Sequence, residues 1–433
     1  MDNVSLETIV SLCKRRGFIY QGSEVYGGLA GTWDYGPLGV QLKRNIIAHW
    51  WKSFVEDKEN MLGVDSAILM NQKVWQASGH VDTFTDPLVE CSNCHSRFRA
   101  DKIDMATCPN CGQKNTFGEP RQFNMMFQTN VGPVKDDNSV TYLRPETAQG
   151  IFTNFKNVVD SFYPDIPFGI AQHGKAFRNE ISPRDFVFRS REFEQLEIEY
   201  FVHPDHWQDA FEEWVTSIEA FLKSLGLPDE KVHKLEVSDN DRAHYSKRTI
   251  DFEYDFPIGR EELLGLAYRT DFDLQNIQRV SGKSMEYRPK DSSAAFVPHV
   301  IEPSFGVERL IMAVLSAAYQ EDQVNDEKRL FLKLPVNIAP VKVAVSPLLK
   351  NKPELVEKAR EVFMTLKKAF GNVMWDDNGN IGKRYRRQDE IGTPYCVTID
   401  FETLEDNAVT VRHRDTAQQD RVAIAELLDA IKI

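Results

Sequence analysis

The chain has 433 residues, 42% apolar and 11% aromatic, with 65 acidic against 52 basic side chains and a formal charge of −13. That is enough for two or three domains with substantial cores, and it excludes a disordered or fibrous protein. The negative charge argues against a protein that coats nucleic acid non-specifically, because phosphate binding needs positive charge; a local basic patch remains compatible with it.

The start, MDNVSLETIVSLCKRRGF, lacks the basic-then-apolar layout of a secretory signal, and no apolar run approaches the roughly 18 residues of a membrane span. The expected location is the cytoplasm, with no membrane partner. Ser5 can cap a short helix whose Ile9, Leu12 and Cys13 share a face. After the Gly36-Pro37 turn, residues 38–54 are apolar at helical spacing, Trp50 and Trp51 included. Residues 165–202 change to period two around a polar turn at Ser182-Pro183-Arg184-Asp185, the pattern of a long antiparallel hairpin. A helix is predicted over 205–225, closed by Gly226 and Pro228. Strand patterns follow at 262–275 and 296–303, then a helix over 306–319. Residues 322–329 read as a charged linker. Behind it, strands at 341–345, 373–375, 395–399 and 408–412 alternate with helices at 353–370 and 423–431. The fold class is therefore α+β: an antiparallel sheet with helices over 1–335, carrying an insert at 86–120, and a small α/β domain over 336–433.

The insert holds Cys91-x-x-Cys94 and Cys108-x-x-Cys111, whereas Cys13 and Cys396 stand alone. Two CxxC knuckles supply four thiolates for one tetrahedral Zn²⁺, a closed structural site in a loop module without its own core. His95, beside Cys94, is an alternative ligand.

In the hairpin, period two sets Gln172, Gly174, Ala176, Arg178 and Glu180 on one face, and Phe193, Gln195, Glu197 and Glu199 on one face of the return strand. Leu196 and Ile198 point to the opposite side. Cross-strand ion pairs on a wet surface would explain such a face. So would a nucleotide floor, with Arg178 as a planar fork for phosphate and Phe193 as a stacking surface. Glu302-Pro-Ser-Phe-Gly-Val-Glu-Arg309 runs from a strand into a helix and puts Arg309 in the first turn. The helix dipole disfavours a cation there, and a bound polyphosphate would offset that.

Phe177-Arg178-Asn179-Glu180 with Arg191-Glu192-Phe193, and Gly306-Val307-Glu308-Arg309, resemble the second and third signature motifs of class II aminoacyl-tRNA synthetases. The Gly36-Pro37 turn and its helix occupy the place of the first. Within the class the chain resembles the glycyl-tRNA synthetases, through Gly-Thr-Trp-Asp-Tyr-Gly-Pro-Leu-Gly (31–39), Leu-Arg-Pro-Glu-Thr-Ala-Gln-Gly (143–150), Glu262-Leu-Leu-Gly-Leu-Ala267, Arg269-Thr-Asp-Phe-Asp-Leu274 and Glu302-Pro-Ser-Phe-Gly306. The likeness runs over essentially the whole chain.

The resemblance implies a ligase that activates glycine with ATP and loads it onto tRNA(Gly). It implies Arg178 on the α-phosphate, Phe193 and Arg309 around the adenine, and Glu262 holding Mg²⁺. Asn179, Glu180, Phe188, Arg189, Ser190, Arg191, Glu192, Leu263, Gly306, Val307 and Glu308 would complete the ATP site. Glycine would meet Glu146 and Glu302 with its ammonium and Arg269 with its carboxylate. Ser304, Arg99, Phe193, Glu194, Gln195, Leu196, Glu197, Pro303, Phe305 and Gly306 would wall the pocket, which must collide with the methyl of alanine. Read alone, the lesser alternative for Glu146 is an ion-paired surface carboxylate, and for Glu302 and Ser304 ordinary strand-end polar groups. The family is usually homodimeric, with Trp50 and Trp51 suited to a seam, and the last domain looks like an anticodon-binding domain. Lys383, Arg384, Arg386 and Arg387 are expected in a loop between its strands, facing anticodon phosphates or bases. An accessory subunit without catalysis should have lost Arg178, Arg309 or the acidic metal residue, and all are present. A zinc-ribbon module on an unrelated partner leaves 302–309 unexplained. His173 departs from the pattern, standing where relatives more often have an apolar residue.

Overall fold

The period-two segments assemble into one seven-stranded sheet in a computed structural model, which describes residues 4–432 apart from 138, 244, 291–293 and 325. Its strands are β1 (Met61–Gly63), β2 (Phe168–Phe177), β3 (Glu192–Val202), β4 (Val232–Glu236), β5 (Arg248–Phe256), β6 (Gly259–Thr270) and β7 (His299–Gly306). They lie in the order β4-β5-β6-β7-β3-β2-β1, antiparallel throughout except β1 with β2. The helices against it are α1 (Leu6–Arg16), α2 (Pro37–Trp51), α3 (Ala148–Phe162), α4 (Trp207–Ser224), α5 (Phe272–Ser281) and α6 (Val307–Ala318).

One face carries the main core. Leu196 and Ile198 of β3 pack there with Ile9, Leu42, Trp50, Phe211 and Leu310 of α1, α2, α4 and α6. As expected, the Ser5 side chain accepts from the Thr8 N–H at 3.2 Å and caps α1. The other face is divided. Phe152 and Phe155 of α3 and Leu274 of α5 cover Phe201, Ile170 and Val300, while the end bearing Phe193, Gln195 and Glu197 opens onto cavities. Helix packing over half a face, and none over the rest, positions the site.

Trp50 does not suit a seam between subunits. It is wholly buried in its own chain, with ring centroids 5.8 Å from Phe54 and 6.0 Å from Phe305, and only Trp51 is part-exposed. The expected charged linker is instead a hairpin, β8 (Tyr319–Val324) and β9 (Glu327–Leu332). Its charges pair across strands: Arg329, buried, reaches Asp322 at 2.8 Å and stacks on Phe331 at 4.3 Å. A charge run usually marks a solvated segment; here Asp322 and Arg329 pair with each other and Glu327 pairs with Arg386.

The last domain has β10 (Val343–Pro347), α7 (Pro353–Phe370), β11 (Val373–Trp375), α8 (Ile381–Glu390), β12 (Tyr395–Ile399), β13 (Ala408–His413) and β14 (Gln419–Ala423). The order is β11-β10-β12-β13-β14, with β10 parallel to both neighbours and the rest antiparallel. Strand β14 was not expected, and the closing helix is only Leu427–Ala430. The basic cluster is not in a loop but on α8, because Asn380 acts as an N-cap, accepting from the Lys383 N–H at 3.0 Å. Most of the cluster is already committed. Arg384, 3% exposed, donates to the carbonyls of Pro347, Asp377 and Gly379; Arg387 pairs with Asp376 at 2.6 Å, and Arg386 with Glu327. Among the described residues only Lys383 of the four keeps its side chain free of an ion pair or hydrogen bond.

Candidate active site

Arg178 lies just beyond the end of β2, where its N–H bonds the Arg191 carbonyl at 2.9 Å and closes the hairpin. Its guanidinium makes one hydrogen bond among the described residues, from Nε to the Pro145 carbonyl at 3.0 Å, and sits 5.3 Å from the Phe193 ring and 5.4 Å from that of Phe84. A cavity of about 300 Å³ opens beside it. Phe193, Phe188, Arg189, Ser190, Glu180, Leu263, Gly306, Glu308 and Arg309 line it, together with Arg99, Gln195, Glu262 and Ser304. Arg309 lies 4.6 Å from the Phe188 ring and pairs with Glu262 at 3.0 Å. Glu262, with 49% of its side chain exposed, is held below the usual carboxylate range chiefly by that arginine. Burial and then the Glu262 charge push neighbouring Asp251 up to about 6.

A second cavity of about 280 Å³ shares Arg178, Gln195, Glu262 and Ser304 with the first, so the two meet at Arg178. Its far end is acidic: Glu146, Glu197 and Glu302 line it, with Tyr245, Arg242 and Asp251. Glu197 accepts from Thr147 Oγ1 at 2.5 Å and Ser304 Oγ at 2.8 Å. The wet-surface reading of this hairpin face fails, since Gln195, Glu197 and Glu199 are all buried. Glu146 is no surface carboxylate either. Burial works against its ionisation, but His80 at 3.3 Å, then Arg269 and Arg178, hold it well below its ordinary value. Burial, with the charges of Glu197 and Glu146, pushes Glu302 up to about 8 against the pull of Arg269.

The comparisons bear on what such a site serves. Residues 127–318 match the family described as tRNA synthetase class II core domain (G, H, P, S and T), and residues 342–432 match the anticodon binding domain. The glycine–tRNA ligase of Borrelia garinii subsp. bavariensis is 50% identical over 434 residues, covering 99% of this chain and 97% of its own. That of Thermobifida fusca is 48% identical over 447 residues (98% and 96%), and that of Streptomyces coelicolor 49% over 446 (98% and 96%).

The chain belongs to the glycine–tRNA ligases.

Within this ligase the structure turns several expected site residues away from the cavities. Side chains alternate along a strand, so Glu194, Leu196 and Phe305 point to the opposite face, Leu196 and Phe305 into the core with Val307. Pro303 is buried on β7 and lines neither cavity. Glu194 pairs with Lys43 at 2.5 Å and His173 at 2.6 Å, which draw it down to about 2 against the opposing effect of burial. That pairing accounts for His173: its ring bonds a carboxylate on the face of the sheet opposite the cavities. Arg191 donates to the Glu180 and Ala30 carbonyls, Glu192 pairs with Lys175, and Asn179 is tied by its N–H to Met125. Arg99 lines the first cavity, not the acidic one, with its guanidinium on Asp86 and Asp101.

The largest correction concerns Arg269. It is fully buried, its Nη1 on Glu302 at 2.8 Å and its Nε and Nη2 on Asp273 at 2.8 and 2.9 Å. Tyr245, 3.9 Å away, covers its face. Every one of its nitrogens is on a protein carboxylate, so the guanidinium ties Glu302 to Asp273. Sequence reasoning missed Asp273, His80 and Thr147. Asp273 stands four residues after Arg269, a spacing that suggests a pair on a helix; His80 gave no signal.

The sulfurs of Cys91, Cys94, Cys108 and Cys111 all lie within 4.8 Å of one another. Cys91 and Cys111, like Cys94 and Cys108, are 3.7 Å apart. A disulfide needs about 2.05 Å, whereas the edge of a tetrahedron with metal–sulfur bonds of about 2.3 Å is about 3.8 Å. The donor set and its spacing fit a tetrahedral metal. Both knuckles turn alike, with His95 N–H on the Cys91 carbonyl and Gly112 N–H on the Cys108 carbonyl, each at 2.9 Å and with positive φ. His95 is not among the converging ligands; its ring lies 3.3 Å from Glu90. Hydrogen bonds from Ser96 and Asn110 draw the Cys94 thiol down to about 5, toward the thiolate that a metal needs.

Proposed function

We propose that the first cavity binds ATP, the acidic cavity binds glycine, and the two substrates react beside Arg178. The observation that carries this is the position of Arg178 at the junction, with a single hydrogen bond of its own. Phe193 and Arg309 bracket the adenine, with Phe188, Arg189, Ser190, Glu180, Leu263, Gly306 and Glu308 around the nucleotide. Glu146 and Glu302 take the glycine ammonium, and Glu197, Gln195 and Ser304 wall the pocket. Because Arg269 is spent on carboxylates, the glycine carboxylate faces Arg178. One of its oxygens attacks the α-phosphorus in line, and the bond to pyrophosphate breaks as pyrophosphate leaves with the electron pair. No covalent enzyme nucleophile is needed; Arg178 stabilises charge on the α-phosphate and holds the reactants in line. The terminal ribose hydroxyl of tRNA then attacks the adenylate carbonyl, and AMP departs.

Glu262, ionised and half-exposed at the cavity edge, suits a hard divalent cation through its oxygens. Bound with ATP, Mg²⁺ would neutralise phosphate charge there. The wall of the acidic pocket carries the Glu197 carboxylate, the Ser304 hydroxyl and the Gln195 amide, so the methyl of alanine would both collide with it and strip hydrogen-bonding partners from it. The four cysteines hold Zn²⁺ in a ribbon-like insert over 86–120 of a catalytic domain at 1–335. Residues 336–433 form the anticodon-binding domain, with Lys383 as a phosphate contact. The enzyme works in the cytoplasm as a homodimer.

Amino-acid-dependent ATP–pyrophosphate exchange tests this reading, comparing glycine, alanine and serine. Exchange with glycine alone, lowered about 100- to 1000-fold by Arg178→Ala, is expected. Exchange that survives Arg178→Ala, or that runs equally well with alanine, would overturn it.

A further inference from the structure

Glu199 is a carboxyl group in the wrong company. It lies on β3 two residues beyond Glu197, on the same face, and is wholly buried. Neither of its oxygens has a hydrogen-bond partner among the described residues. On one side it is paired in register with Ile170 of β2. On the other, Glu197 faces Ser304 and Tyr200 faces Ile301, which sets Glu199 alongside Glu302 of β7. The charged groups acting on it are Glu302, Glu197 on its own strand, Asp273 on α5 and Arg269 on β6. Helix α3, above, offers Gln149, whose amide is spent on Asp273 at 2.9 Å. Arg269 is spent on Glu302 and Asp273. Among the described residues no cation and no donor is left for a fourth carboxylate, and a buried carboxyl in that position takes a proton instead. Burial, then the charge of Glu302, raise its pKa well above the ordinary value.

We propose that Glu199 is a positioning residue of the amino-acid pocket: as a neutral acid behind Glu302 it relieves carboxylate crowding at a group the substrate never touches. Glu302 is thereby left to exchange its own proton for the substrate ammonium. A charged Glu199 would force a second proton onto the carboxyl groups that face the substrate. The inference rests on the reading of Glu302 as an ammonium ligand.

The test compares E199Q, E199A and E302Q by glycine and ATP KM over about pH 6 to 9, with infrared difference spectra of wild type against E199Q. A carboxylic-acid carbonyl band, absent in E199Q and persisting to about pH 9, is expected. E199Q, a neutral isostere, keeps its glycine KM within about two-fold of wild type at every pH. E199A raises the glycine KM about ten-fold, with the ATP KM unchanged. Should E199A fail to fold, the infrared band and the E199Q profile decide. Loss of the band below about pH 7, equal damage from Gln and Ala, or an E199A enzyme with normal glycine KM would each overturn the proposal. Undiminished glycine exchange in E302Q, with the Glu199 band intact, would instead sink the reading of Glu302 and leave the protonation of Glu199 standing.

Discussion

Replacing Arg269 with Met should unfold the catalytic domain more readily before it says anything about substrate. The guanidinium is fully buried, three of its nitrogens lie 2.8–2.9 Å from Asp273 and Glu302, and Tyr245 covers it at 3.9 Å. Methionine fills much of the volume but leaves two buried carboxylates without a cation. Removing one partner of a buried ion pair costs about 3–5 kcal/mol; loss of a desolvated cation–π contact adds up to about 2 kcal/mol. A destabilisation of about 3–7 kcal/mol is therefore expected, measured by urea unfolding of the catalytic domain with a fluorescence probe. The cost should shrink in acid, because carboxylates without a cation have raised pKa values and the penalty is lost as pH falls through them. If Arg269 instead served the substrate carboxylate, the variant would lose glycine-dependent exchange while its stability stayed within about 1 kcal/mol of wild type. That result would refute the pairing argument.

Four further outcomes follow from the structure. With Glu302 near 8 in the empty pocket, the ammonium must displace a proton below that pH. The glycine KM should therefore rise as pH falls from about 8 to 6, approaching ten-fold per unit, and glycine binding should release protons in calorimetry across buffers. Metal analysis should find about one Zn²⁺ per chain, lost in Cys108→Ser, with new protease cleavage confined to 86–120 and the last domain unaffected. Arg384→Met, which orphans three carbonyl oxygens, should destabilise the last domain by at least about 2 kcal/mol and spare pyrophosphate exchange. Lys383→Ala should leave stability within about 0.5 kcal/mol and raise the KM for tRNA.

What was legible in the chain follows from what a side chain announces by itself. Period two fixes which residues share a face, so the burial of Leu196 and Ile198 opposite Gln195 and Glu197 could be read directly. The two CxxC knuckles carry their own geometry. Partnership is harder to read. Arg269 announces a guanidinium but not that Glu302, 33 residues on, and Asp273 already occupy it. Likewise a run of basic residues after Gly379-Asn380 looks like a loop until Asn380 is recognised as a cap and the carbonyls of Pro347 and Gly379 as its acceptors. Assigning Glu194 to the glycine pocket overlooked the strand alternation that was available. His173 became intelligible only with Lys43 and Glu194 in view, residues that the fold brings together from 130 and 21 positions away. Charge was the least reliable signal, because the sequence carries no record of which charges are spent on each other.

The most direct measurement is a crystal structure of the enzyme with a non-hydrolysable glycyl-adenylate analogue. The expected result places the ammonium within hydrogen-bond reach of Glu146 and Glu302, the phosphate mimic on Arg178, and the adenine between Phe193 and Arg309, with Arg269 still on Glu302 and Asp273. An analogue whose ammonium lies away from Glu146 and Glu302, or an Arg269 that has left both carboxylates to bind it, would contradict the assignment of the site.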